Sequence, residues 1–87
     1  MFEMMEIKLT IYSIIENITN NKYSLTSENE REALHYIISN SIMATNFVIL
    51  IEDEFNIEFD DDEVDFDFFS SIDRIVELVR IHYKGNI

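Results

Sequence analysis

The chain has 87 residues, with 18 Asp+Glu against 6 Lys+Arg, which gives a formal charge of −12. Its 47% hydrophobic content, including 7 Phe and 4 Tyr, is too rich for an acidic disordered tail and suffices for one core near the small end of what folds unaided. With no Cys, no Pro and one Gly, the composition excludes disulfides, thiolate metal sites, a cysteine nucleophile and a glycine-rich phosphate loop, and it argues against a turn-dense all-β fold.

The same arithmetic bears on partners and place. Phosphate contacts need Lys and Arg, so nucleic acid is a poor partner and a basic protein surface a natural one. No apolar run approaches the ~20 residues of a membrane span, so no membrane partner is expected. The segment Met1 to Glu6 carries acid instead of the cations of a secretion signal, and the expected setting is the cytosol. No repeat or Gly/Ser/Pro linker divides residues 1–87, which read as a single domain and a monomer.

The first periodic segment runs from about Phe2 to Ile18, where Ile7, Ile11, Ile14, Ile15 and Ile18 recur at the three-and-four spacing of an amphipathic helix. β-branched residues are mediocre helix formers, so packing must supply much of this helix's stability. Asn17, Thr19, Asn20 and Asn21 then end the pattern, and Asn tolerates the left-handed conformation that stops a helix. Residues 20–27 read as loop. Ser27 with Glu30 offers a capping box for a short extra helix that would place Ala33, Leu34, Ile37 and Ile38 on one face before Ser39-Asn40 interrupts it.

Phe47, Ile51 and Phe55, spaced by four with Val48 beside them, mark the clearest helix, and Asn56 follows where it should stop. Ile57 and Phe59 are expected to turn back into the core. Asp60 and Glu63 are expected to cap a short third helix within Asp61 to Phe69; the alternation Val64, Phe66, Phe68 also fits a strand, which would have no evident partner. Ser70 or Ser71 then caps a last helix with Ile72, Ile75, Val76, Val79 and Tyr83 inward, closed by Gly85. The expected architecture is an all-α bundle of four helices, the third short, with a long first loop. Ile11, Ile15, Phe47, Ile51, Phe55, Ile57, Phe59, Ile75 and Val79 are its expected core.

Glu52 to Asp73 contains 11 acidic residues and no Lys or Arg. Such a run serves as a solvated, solubilising face or as a docking surface that speeds encounter with basic proteins, and the two readings are compatible. The run Asp60 to Asp65 is not an EF-hand, because the sixth and twelfth positions from Asp60 hold Asp65 and Ser71 where that loop needs Gly and Glu. No metal site is expected. Arg31, His35 and Ser39 lie at helical spacing, but a cation cannot orient and stabilise an imidazolium as a carboxylate does. His35 and His82 read as surface histidines outside any zinc pattern, and no catalytic residue is expected.

One stretch carries more than periodicity. Leu34-His35-Tyr36-Ile37-Ile38-Ser39-Asn40-Ser41-Ile42, followed by Phe47 to Phe59, resembles the centre of an acyl carrier protein. That family has a loop ending in Asp-Ser-Leu, a helix of about four turns, an acidic-Phe-Gly-Ile-x-Ile pattern, a short third helix and a closing helix. Asn40-Ser41-Ile42 occupies the first landmark and Glu54-Phe55-Asn56-Ile57-Glu58-Phe59 the second, with the interval between them kept. The likeness covers roughly residues 34–83, and the first helix matches only in character.

The resemblance implies a non-catalytic carrier. Ser41, flanked by Asn40 and Ile42, would take 4'-phosphopantetheine from coenzyme A through a phosphopantetheinyl transferase, and the imported thiol would hold an acyl or aminoacyl group as a thioester. Partners would be the transferase and the loading, condensing or tailoring enzymes of fatty acid, polyketide or nonribosomal peptide synthesis. Their basic surfaces would meet Met43, Ile49, Glu52, Asp53, Asp60, Asp61, Asp62 and Glu63. A helix start favours an attached phosphodiester through its free N–H groups and dipole, although Ser there also serves simply as an N-cap.

Three departures point to specialised metabolism. Asn40 replaces the usual acid, Ile38 stands where many relatives carry Gly, and Ile42 to Ile51 contains no acid, so contacts there would be mainly apolar through Ile42, Met43 and Ile49. The rival reading is an unmodified acidic adaptor or inhibitor that covers a basic surface.

Overall fold

A computed structural model describes residues 3–85. Four α-helices follow in order: α1 (Met4–Ile18), α2 (Glu30–Ile38), α3 (Ser41–Phe55) and α4 (Ile72–Gly85), with two 3-10 turns at Asp61–Glu63 and Asp67–Ser70 between α3 and α4. No strand occurs among the described residues. The start of the first helix at Phe2 lies outside the described residues.

The apolar stripes assemble as their spacing requires. Ile7, Ile11 and Ile15 of α1 face Phe47, Ile51 and Phe55 of α3 and Ile75, Val76 and Val79 of α4, and α1 packs on both of those helices. All nine expected core residues are buried, joined by Leu25, Ala33, Leu34, Ile37, Phe68, Ile72 and Leu78. Tyr83 is half-buried against this cluster.

The punctuation is Asn chemistry. Asn20 (φ 56°) and Asn21 (φ 61°) turn left-handed after α1, and Asn56 (φ 53°, ψ 50°) does so after α3. Asn56 thus supplies the conformation for which Gly is the default residue.

The expected capping box at Ser27 and Glu30 is not formed. Helix α2 begins at Glu30 with Asn29 at the cap position, and Asn29 is turned away from the helix: its Oδ1 accepts from Thr26 N–H (2.9 Å) and its Nδ2 donates to Ser24 O (3.0 Å). Glu30 is drawn elsewhere, accepting from the Tyr12 hydroxyl and lying 3.3 Å from Lys8 Nζ, which ties α2 to α1. Burial and the Glu30 carboxylate push the Tyr12 hydroxyl pKa up to about 12.

The single short helix expected between Asp61 and Phe69 is instead the pair of 3-10 turns, separated by Val64 to Phe66. Six acids within Asp60 to Asp67 crowd this stretch, and side-chain carboxylates compete for its backbone N–H groups. No single helix among the described residues is long and apolar enough to cross a membrane; α2 and α3 together have the length and composition but meet at 117°.

Candidate functional site

Ser41 sits at the corner where α2 ends and α3 begins. Asn40, in extended conformation (φ −128°, ψ 110°), is the N-cap of α3, and its Oδ1 accepts from both Ile42 N–H (3.0 Å) and Met43 N–H (3.1 Å). Ser41 is therefore the first helical residue and not the cap, which overturns the reading of this serine as an N-cap. Two first-turn N–H groups are consumed by Asn40, so an anion here would meet the helix dipole and the Ser41 N–H, not an open set of donors. The Ser41 side chain is exposed, and its hydroxyl has no hydrogen-bond partner among the described residues. Its carbonyl accepts from the Thr45 hydroxyl (2.9 Å) one turn on, which fixes the first turn.

Two grooves flank this hydroxyl. One, of about 300 Å³, is lined by Ile38, Ser41, Ala44, Thr45, Val48, Val64 and Phe69; the other, of about 240 Å³, by Ser41, Ile42, Thr45 and Asn46. Ile38 ends α2 half-buried and forms a wall of the larger groove.

The side chains expected to meet partners separate into two groups. Ile42 (74% exposed), Ile49 and Asp53 lie on the outward face of α3. Leu50, also exposed on that face, was not singled out by the sequence, although its spacing of eight from Ile42 signals it. Asp60, Asp61 and Asp62 are exposed as well.

Met43, Glu52 and Glu63 are engaged inside the molecule. Met43 is half-buried against the core. Glu52 Oε2 accepts from Phe59 N–H (2.8 Å), and its carbonyl accepts from Ile57 N–H (3.0 Å), so one residue reverses the chain after α3 and brings Ile57 and Phe59 inward. Glu63 Oε1 accepts from Asp60 N–H (2.8 Å) and lies 2.6 Å from His82 Nε2 of α4. The Asp60 N–H, aided by His82 and Arg74 against the cost of burial, holds the Glu63 carboxyl below its ordinary value.

His82 stands edge-on to Phe59 (5.5 Å) and is half-buried, in contrast to the surface position expected for it; His35 is exposed. No group of three or more His, Asp or Glu among the described residues is arranged to hold a metal ion. No protein-family model, curated protein or solved structure matches the chain.

Proposed function

We propose that the chain is a phosphopantetheine-dependent carrier of an acyl-carrier-like fold, working in the cytosol in a specialised pathway. The observation that carries this reading is the placement of Ser41: an exposed, unpartnered hydroxyl on the first residue of a capped helix, with apolar-walled grooves on either side. A transferase needs access to that oxygen, and an arm attached there swings over both grooves. The second support is the geometry downstream, where α3 stops at left-handed Asn56 and Ile57 and Phe59 return to the core, as the family landmark requires. The bound group supplies a thiol that holds the cargo as a thioester, which suits a chain with no sulfur nucleophile of its own.

The residues of this chain orient and present. Asn40 fixes the first turn of α3 and with it the direction of the Ser41 side chain, while offering no charge to a transferase. Ile42, Ile49 and Leu50 give the outward face of α3 an apolar character, so partners that read it bring apolar side chains, with basic residues toward Asp53 and Asp60 to Asp62.

Intact mass spectrometry after incubation with coenzyme A and broad-specificity phosphopantetheinyl transferases tests the proposal. The expected result is one phosphopantetheinyl gain in wild type and none in Ser41→Ala. Equal modification of both would move the site to Ser39. No gain in wild type with several transferases, and none in protein from its native host, would leave the unmodified acidic interaction module, for which the exposed carboxylates of Asp60 to Asp62 speak.

A further inference from the structure

A cavity of about 160 Å³ lies between α2 and the second 3-10 turn, lined by Arg31, His35, Ile38, Phe66, Phe69 and Ser70. Arg31, His35 and Ile38 succeed one another at spacings of four and three, so one face of α2 presents a guanidinium, an imidazole and an aliphatic side chain in line. The opposite wall is aromatic. Phe69 is fixed by the core, its ring 5.0 Å from Phe68 and 6.2 Å from Phe47 between centroids. Phe66, 75% exposed, is a large ring left at the mouth with no burial of its own.

The charge at this cavity runs against the rest of the molecule. In a chain of net charge −12, Arg31 has no ion pair or hydrogen-bonded carboxylate among the described residues. Of the acids beside it in sequence, Glu30 is occupied by Tyr12 and Lys8, and Glu32 lies near the Tyr23 hydroxyl, whose pKa burial and that carboxylate push up. A free guanidinium at the rim of an aromatic slot matches a planar carboxylate, which it can grip with two parallel N–H donors. The volume suits a ring, since a cavity of about 150 Å³ holds benzene.

We propose that this cavity binds a compact aryl carboxylate, its ring between Ile38, Phe66 and Phe69 and its anionic head on Arg31. The site is separate from the Ser41 hydroxyl but adjoins the larger groove beside it, because Ile38 and Phe69 wall both. Arg31 and Ile38 are seven residues apart on α2, about 10 Å along the axis. The same carboxylate chemistry reaches the cavity either as a free acid or as the distal end of a group tethered at Ser41.

The test is an NMR titration of the ¹⁵N-labelled protein with benzoate and, separately, with neutral benzamide, in wild type and in Ser41→Ala, which admits no tether. The expected result is saturable benzoate shifts centred on Arg31, His35, Phe66 and Phe69 in both proteins, with benzamide about tenfold weaker. Arg31→Gln should reduce benzoate to the level of benzamide while leaving the melting temperature unchanged, since Arg31 is exposed. Equal affinities for the two probes, or shifts scattered over the surface without saturation, would overturn the proposal. Because Ser41→Ala is included, failure of the carrier reading and failure of this site give different results. A tethered source is distinguished, where Ser41 carries phosphopantetheine, by acylating the thiol of that arm as a 4-carboxybenzoyl thioester, which should block free benzoate where a benzoyl thioester does not.

Discussion

Phe55 and Phe68 are both sealed from solvent, yet the backbones that carry them are held in different ways. Phe55 ends a 15-residue helix whose inward residues recur every four positions, and the main chain satisfies its own hydrogen bonds. Phe68 sits in the acidic segment between α3 and α4, where no α-helix forms and side-chain carboxylates supplement a few backbone bonds such as Phe68 N–H to Asp65 O (3.2 Å). Glu52 takes Phe59 N–H, Glu63 takes Asp60 N–H and Asp65 takes Phe68 N–H (3.1 Å). The aromatic anchors Phe59 and Phe68, edge to face at 5.3 Å, do the burying. The acids of this segment are thus of two kinds: some cap the backbone, and others, such as Asp61 and Asp62, only face solvent.

The largest expected effect separates the two regions by cavity formation. Phe55→Ala should cost about 3–5 kcal/mol, because the regular helices around it cannot collapse into the void. A domain of this length holds on the order of 4–13 kcal/mol in total, so this variant should be marginal or unfolded. Phe68→Ala removes an equally buried ring from a segment of short turns that can settle inward, and should fall at the low end of the range for such truncations, about 3 kcal/mol. Urea unfolding of both variants checks this. Equal losses would mean that the acidic segment is as rigid as the helices, and an unchanged Phe55→Ala midpoint would contradict the register of α3.

The same contrast explains what could be read from the sequence. The burial of Ile11, Ile15, Phe47, Ile51, Phe55, Ile75 and Val79 follows from spacing alone, because in a regular helix position fixes direction. The place of Ser41 at a helix start does not follow from the stripe of α3, which begins only at Phe47; it rests on the break at Ser39-Asn40 and on the family resemblance of Asn40-Ser41-Ile42. The acidic segment has no period to read. Val64, Phe66 and Phe68 alternate, yet Phe68 is buried and Phe66 is among the most exposed rings, which only the path of two turns determines. Glu52 looks like surface charge in the sequence, and its capping role depends on where the chain reverses; the pairing of Asp60 with Glu63, three residues on, follows from their spacing and is formed. The Arg31 cavity was illegible too, since its second wall comes from Phe66 and Phe69, far along the chain.

A smaller effect isolates a capping acid from the solvated ones. The Asp60 N–H and His82 hold Glu63 below its ordinary 4.5, so the unfolded chain takes up this proton first as the pH falls. The stability Glu63 contributes is therefore fully present above about 4.5 and is lost as the pH drops through the lower folded value. Protonation of purely solvated acids has the opposite sign, because it relieves repulsion. Comparing melting temperature against pH for wild type and Glu63→Gln removes that shared background. Wild type should lose its advantage below about pH 4.5, and curves that stay parallel into acid would show that the contact contributes nothing.

The smallest effect concerns the carboxylates that cap nothing. The molecule measures 35 × 25 × 19 Å, and between Glu52 and Asp73 no Lys or Arg interrupts the acids. At ~0.01 M salt the screening length is about 30 Å, so charges repel across nearly the whole protein; at ~0.15 M it falls to about 8 Å and only neighbours interact. Unfolding separates the charges, so repulsion destabilises the folded state and screening should restore part of the loss. Raising NaCl between those limits should lift the melting temperature by roughly 3–6 °C, the shift that about 0.5–1 kcal/mol produces in a domain this size. Millimolar Mg²⁺ or Ca²⁺ should act in the same direction. The response should weaken in Asp61→Asn/Asp62→Asn, whose carboxylates face only solvent, because two sources of repulsion are gone while Glu52, Glu63 and Asp65 keep their backbone partners. If the double variant responds to salt as wild type does, the repulsion lies elsewhere, and the division between capping and solvated acids does not describe the electrostatics of this segment.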